Sequence, residues 1–253
     1  MKIVISPAKS LDFESTLPTS HFSMPSFLQE AEKINKVLAK KKPKALMELM
    51  NISASLAEVN WERNQQFELP FTPENARPAL YAFNGDVYQG LDAYSIPEEQ
   101  LAHVQDSLRI LSGLYGILKP LDLIQPYRLE MGTSLKIGAR KNLYDFWKTT
   151  LTAALNQELE NEAFLVNLAS NEYFSVLDHK KLRVPVITPV FKDWKNDTLK
   201  MISFFAKKAR GSMVRYILDS KATTLEDIRA FSEDGYQFSQ EHTLKEHQPV
   251  FIR

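Results

Sequence analysis

A short apolar run, Ile3-Val4-Ile5, follows Lys2 and stops at Ser6-Pro7, which predicts a buried strand over Lys2 to Ile5. The period then lengthens. Ser26 and Gln29 make a capping-box pair before a helical pattern that runs to about Lys40, Pro43 opens a second helix, and Ser53 caps a third that carries Trp61. Residues 68–78 hold Pro70, Pro73 and Pro78 and read as a connector. From 79 to 140, short apolar runs mix with six of the eight glycines, and Ser95 with Glu98 marks a helix through about Leu111. Asn142 to about Asn161 is a longer helix, with Leu143, Phe146, Trp147, Leu151 and Leu155 at helical spacing. Phe164 to Ala169 and Val184 to Phe191 read as buried strands. A strand near Lys200 to Phe204 leads into a helix of roughly Phe205 to Leu218, a capping box spans Thr223 to Glu226, and Pro249 to Arg253 forms a last strand. Helices and strands interleave without repeat or low-complexity tract, so the class is α+β: a single compact mixed α/β unit over 1–253, its weakest seam at the proline-rich connector.

Composition narrows what such a unit does. With 44% apolar residues and 15 Phe the chain can bury a large core. The 31 Lys and Arg balance 31 Asp and Glu, which argues against action by overall basicity but leaves room for a local basic surface. There is no cysteine, so disulfides, thiol peroxidase chemistry, iron–sulfur clusters and Cys-ligated zinc are excluded. No stretch approaches the ~20 apolar residues of a membrane span, and Ser6-Pro7 interrupts the start before a signal-peptide core can form. A soluble, cytoplasmic protein without a membrane partner is expected. P-loop, dinucleotide and G-x-S-x-G motifs are missing, and His21, His103, His179, His242 and His247 lack ligand spacing. Neither a cofactor nor a protein-coded metal site is expected.

Four features carry candidate chemistry. Residues 192–215 hold seven basic against two acidic side chains, a local balance of +5, whereas 216–253 carry −3. At about 100° per residue, Lys207, Lys208, Gly211 and Arg215 share one helical arc with Arg210 at its edge, opposite Phe205, Ala206, Ala209, Met213, Tyr216 and Ile217. An ordinary solvated face competes with a cationic surface there; Gly211, a poor helix former, suggests that a backbone or a phosphate comes close. Second, Gly113 and Gly116 in Leu111–Gly116 are spaced as in a hairpin between helices whose amides approach phosphates, or as a plain helix cap and turn. Third, Pro126–Gly132 alternates as a strand with Arg128 and Glu130 on one face, either an ion pair in solvent or a cleft where Arg128 meets an anion. Fourth, Ser6 and Lys9, then Ser170, Asn171 and Glu172, then Lys192 and Asp193 follow strand ends, where ligands of open α/β sheets gather.

At these residues the chain resembles a known family. Ser6–Asp12 (SPAKSLD), Phe83–Leu91 (FNGDVYQGL), Leu111–Gly132, Asn167–Phe174 (NLASNEYF) and Ser203–Arg215 (SFFAKKARGSMVR) together resemble the YaaA family of bacterial peroxide-stress proteins, in order from residue 6 to about 215. The resemblance implies a cytoplasmic protein that keeps free intracellular iron low under hydrogen peroxide and so limits oxidative DNA damage. It further implies an unusual α/β fold with a helix-hairpin-helix element and a positively charged cleft that binds DNA. Carried over position by position, the DNA-facing residues would be Lys9, Gly113, Gly116, Arg128, Lys207, Lys208, Arg210 and Arg215; Ser6, Ser170 and Asn171, from the strand ends, are the candidate ligand cleft.

DNA binding with little sequence specificity is therefore the leading expectation. An enzyme acting on nucleic acid or a nucleotide is the alternative, with Lys9 as a Schiff-base amine and Glu130 or Asp193 as acid or base. A direct iron sequestrant would need carboxylate ligands alone and ranks last.

Overall fold

A computed structural model describes residues 1–253 and places β1 (Lys2–Ile5), with all four residues buried, at the centre of the molecule. Helices α1 (Leu28–Leu38), α2 (Pro43–Met50) and α3 (Ala54–Gln66) follow. Pro43 occupies the first turn of α2, and the Ser53 hydroxyl accepts the Leu56 amide at 3.3 Å to cap α3. Strand β2 (Arg77–Pro78), helices α4 (Ala79–Ala82), α5 (Asp86–Leu91) and α6 (Leu101–Ser107), then strands β3 (Leu108–Ser112), β4 (Gly116–Leu118) and β5 (Leu123–Ile124) fill the middle of the chain. Helix α7 (Leu143–Glu158) starts where Asn142 accepts the Asp145 amide at 2.9 Å, and it buries Leu143, Trp147, Leu151 and Leu155. The rest comprises β6 (Leu165–Asn167), α8 (Asn171–Phe174), β7 (Val186–Ile187), β8 (Val190–Lys195), β9 (Thr198–Lys200), α9 (Ser203–Ser220), α10 (Leu225–Arg229), β10 (Gln237–Phe238) and β11 (Val250–Ile252).

The main sheet runs β4-β3-β1-β6-β7, with β3, β1, β6 and β7 parallel and β4 antiparallel at the edge. A second sheet, β10-β11-β8-β9, gathers the end of the chain against α9, and β2 pairs with β5 in a small ribbon. One apolar cluster of 65 buried residues runs through both sheets, so the mixed α/β unit has a single continuous core. No helix is long and apolar enough to cross a membrane. Because four strands are parallel, their carboxyl ends open on one edge, and the loops after β1, β3 and β6 meet there.

Several boundaries differ from the sequence pattern for physical reasons. Helix α1 begins at Leu28 without a side-chain cap, so Ser26 and Gln29 form no capping box. The helix expected through Leu111 ends at Ser107, because Leu108–Ser112 is wholly buried and pairs with β1; a short apolar run does not separate strand from buried helix. Val184 to Phe191 divides between the two sheets, Val186–Ile187 pairing with β6 and Val190 opening β8. The capping box lies one residue on, Thr224 with Asp227. The glycine hairpin is also corrected. Residues 113–115 turn a β-hairpin between β3 and β4, not a helical one.

Asp122, in the turn before β5, is 2% exposed and accepts the Ser23 hydroxyl at 2.7 Å and the Lys119 amide at 2.8 Å. Burial outweighs these bonds and pushes its pKa from 3.8 to about 6. A carboxyl with a higher pKa in the fold holds more protons there than in the unfolded chain, so its contribution to stability is greatest in acid and is lost as pH rises from 3.8 to about 6. Urea unfolding of the wild type and Asp122→Asn should therefore show the wild type losing about 2 kcal/mol relative to the variant between about pH 4 and about pH 7. Parallel profiles would mean that Asp122 titrates normally.

Candidate functional site

The edge of the main sheet is tied together by two serines. The Ser6 hydroxyl, just past β1, accepts the Ser170 amide at 2.9 Å and lies 3.3 Å from the Ser170 hydroxyl, just past β6. Tyr88 of α5 donates to the Ser6 carbonyl at 3.2 Å. The loop after β1 then crosses the segment before α5: the Asn84 amide donates to Ser10 O at 3.0 Å and the Asp12 amide to Ala82 O at 2.8 Å. A Cβ on Gly85 would stand 3.0 Å from the Ala8 Cβ, so the two segments are in van der Waals contact.

Lys9 reaches from this loop to Glu130, with Nζ 3.1 Å from Oε1, and Arg128 Nη2 lies 3.0 Å from the same oxygen. The Lys9 side chain is 65% exposed, those of Arg128 and Glu130 only 16% and 14%. Within this pair two buried atoms have no partner, Arg128 Nε and Glu130 Oε2. Residues 127–131 alternate as expected, with Tyr127, Leu129 and Met131 buried, yet they join no sheet; the alternation comes from one buried face. Under the ion pairs lies a floor of phenols. Burial raises the pKa of Tyr88, Tyr127 and Tyr173, with the negative charge of Glu130 adding at Tyr127 and Tyr173, so all three stay neutral. Tyr127 shares a 2.7 Å hydrogen bond with Ser112, and Glu172 accepts the Gly132 amide at 3.0 Å, fixing the segment between β3 and α8.

The basic helix meets this cluster at one end. Lys207 Nζ is 3.9 Å from Asp86, and Gly85, the residue before Asp86, touches Ala8, the residue before Lys9. Lys208 pairs with Asp234 at 3.1 Å and keeps 47% of its side chain exposed. Arg215 serves packing: it pairs with Asp219 at 2.7 Å and donates to Ser95 Oγ at 2.6 Å and Asp92 O at 3.2 Å, holding α9 to the turn after α5. Arg210 is largely buried, and desolvation lowers the pKa of its guanidinium. Gly211 meets a backbone, since its Cβ would lie 1.8 Å from Val87 O of α5.

Two predicted glycines face inward. A Cβ on Gly113 would lie 2.3 Å from Leu129 O, and Gly116, at φ +73°, lies under Trp147, whose indole N–H donates to Gly113 O at 3.0 Å. Both are buried, so this hairpin offers no amides to a phosphate backbone. Asp193 is also committed elsewhere: Arg253 holds its Oδ1 at 2.7 Å and the Tyr236 hydroxyl its Oδ2 at 2.9 Å, in a buried knot of the second sheet. Asn171 is exposed and lines a separate cavity of about 570 Å³ with Asn167, Phe174, Thr188 and His247. Arg63 of α3, which sequence spacing did not single out, lies near Arg128, whose positive charge adds to burial in lowering the Arg63 pKa.

Fold and site thus define an α/β protein in which Lys9 and Arg128 pair with one carboxylate, Glu130, beside the carboxyl edge of a parallel sheet. A sequence profile described as peroxide stress protein YaaA matches residues 1–242, and the chain belongs to that family. It is 65% identical over 238 residues to a UPF0246 protein of Flavobacterium johnsoniae, covering 94% of each chain. A UPF0246 protein of Aliivibrio fischeri is 52% identical over 240 residues (94% of this chain, 93% of the relative), and one of Pseudoalteromonas translucida is 50% identical over 255 residues (100% and 98%).

Proposed function

We propose that this family member binds DNA with little sequence specificity and thereby helps limit iron-driven oxidative DNA damage under hydrogen peroxide. The observation that supports the reading is the exposure of three lysines. Lys9, Lys207 and Lys208 keep 65%, 52% and 47% of their side chains exposed, and Ala8, the neighbour of Lys9, touches Gly85, the neighbour of the Asp86 that faces Lys207. Exposed lysines without rigid geometry suit phosphate contacts and carry no base readout. A gel-shift titration should give a log-linear fall of affinity with salt, losing about one unit of slope per phosphate contacted, and similar affinities for unrelated duplexes. Failure to retard any duplex at low salt would sink the proposal.

A second reading is favoured by one distance, the 3.1 Å between Lys9 Nζ and Glu130 Oε1. An amine beside a half-buried carboxylate has the parts for imine formation with an aldehyde sugar and for proton transfer. Asp193 takes no part, since both its oxygens are bound in the Arg253 knot. Borohydride trapping on abasic DNA separates the readings: a covalent adduct lost in Lys9→Ala supports the enzyme, and reversible binding alone supports the first reading.

A further inference from the structure

A cavity of about 570 Å³ opens where the end of β6, helix α8, strand β7 and the segment before β11 meet. Its size is that of small-molecule sites, roughly 300–1,000 Å³, and it lies past the carboxyl end of β6, where ligands of parallel sheets gather. Two backbone bonds hold the last segment in place: the Thr188 amide donates to His247 O at 2.8 Å and the Val190 amide to Pro249 O at 2.9 Å. His247 and Gln248 follow the residues 1–242 matched by the family profile, so part of this wall lies outside the matched region. No Asp, Glu, Lys or Arg lines the cavity. Phe174, Val184, Pro185 and Val186 supply its apolar lining, and the His179 ring lies on Phe174 with centroids 4.6 Å apart, its Nε2 donating to Phe174 O at 3.1 Å. The polar lining is rich in carboxamides. Asn167 is only 4% exposed; its Oδ1 accepts the Ala169 amide at 3.1 Å, while Nδ2 makes one long bond of 3.5 Å to Thr188 Oγ1, which leaves its second N–H without an acceptor. The side chains of Asn171 and Gln248 make no hydrogen bond within the protein.

We propose that this cavity binds a free nucleoside through its base, a site that goes beyond the DNA-binding reading and does not depend on it. Each carboxamide carries a donor and an acceptor side by side, the pattern that pairs two-pronged with the edge of a nucleobase. The faces of a base are apolar and its edge is polar, which matches a lining divided between Phe174 with its aliphatic neighbours and Asn167, Asn171 and Gln248. A ring nitrogen or carbonyl of the base supplies the acceptor that the buried Asn167 N–H lacks, and that unfilled donor is the strongest sign of a ligand. A sugar alone, hydroxylated on every side, would leave hydroxyls against the apolar lining. A phosphate would find no cation here, so the base and not the phosphate carries the recognition.

Calorimetric titration of the full chain with adenosine, guanosine, cytidine and uridine, beside a gel shift with a short duplex, tests this. At least one nucleoside should bind the wild type, and its monophosphate should bind within about twofold of it, because no cation waits for the phosphate. Asn171→Ala combined with Gln248→Ala should weaken that nucleoside about tenfold or more and leave the melting midpoint in place, since neither side chain is bonded within the protein. Duplex affinity should stay within about twofold in the same variant, because the exposed lysines carry the polymer contacts. A photoreactive azido derivative of the bound nucleoside reports on the wild type without any variant: adducts are expected on residues 167–188 or 247–248, and adducts elsewhere overturn the site. The site is also overturned if no nucleoside binds, if the double variant binds as the wild type does, or if the monophosphate binds more than about tenfold tighter than its nucleoside. If duplex and nucleoside affinities fall together in the double variant, the base bound there belongs to DNA, and a pocket for free nucleosides is overturned. Failure of duplex binding with the nucleoside result intact would sink only the DNA reading.

Discussion

Gly211→Ala should cost the fold at least about 4 kcal/mol and expose α5, although helix propensity alone predicts a gain of about 1 kcal/mol from the same change. The added methyl would stand 1.8 Å from Val87 O and 2.7 Å from the Leu91 amide nitrogen, both backbone atoms of the facing helix. Neither can rotate away, so the helices must separate. The facing glycine makes the contact reciprocal, since a Cβ on Gly90 would lie 2.1 Å from Lys208 O. Val87, Leu91, Val214 and Leu218 are buried along this seam and would lose contact together. For a domain of total stability of roughly 5–15 kcal/mol, that loss is a large share. Urea unfolding at neutral pH reads the change, and hydrogen exchange on residues 86–91 localises it. A neutral or stabilising result would mean that α5 and α9 are not packed backbone to backbone. Were Gly211 there to admit a phosphate, the variant would keep its stability and lose DNA affinity.

The two roles offered for Gly211 show where the sequence stops being legible. A glycine inside a helix signals close approach, but sequence carries no record of what approaches. The same holds for Gly113 and Gly116, whose spacing fits a helical phosphate hairpin as well as a β-turn capped by Trp147. Long periodic elements read well: α7, with its Asn142 cap and apolar stripe, and β1, stopped by Ser6-Pro7, lie where the pattern puts them. Short apolar runs read less well, because Leu108–Ser112 and Val186–Ile187 take their type from their partners β1 and β6. Charge was legible as a sum along the chain and not as a surface. Of the basic arc on α9, Arg215 bridges to α5's following turn and Arg210 is largely buried, leaving Lys207 and Lys208 as its outward charges. Of the residues that follow strand ends, Ser6 and Ser170 meet because β1 and β6 are parallel neighbours, whereas Asp193 is held in the second sheet. Arg63 lies outside that rule, being on helix α3 and not at a strand end.

That reduced set of outward charges determines how DNA affinity should respond to mutation. Lys9→Gln, Lys207→Gln and Lys208→Gln combined should weaken duplex binding roughly 100-fold at low salt and flatten the log-log salt slope by about three units, one per lysine. The glutamines keep hydrogen-bonding capacity and introduce no new like-charge clash with Glu130, Asp86 or Asp234, so the melting midpoint should change little. Arg215→Gln is the informative contrast. Its loss unties α9 from Ser95 and from the Asp92 carbonyl, so stability should fall while the salt slope stays put. A protein that used the whole basic arc would show the reverse, with Arg215→Gln flattening the slope as each lysine does. The triple variant also separates binding from chemistry at the same cleft. With the Lys9 amine gone, an imine-forming activity would be abolished outright, at every salt concentration, whereas phosphate binding is weakened in proportion to the charge removed and recovers as salt is lowered.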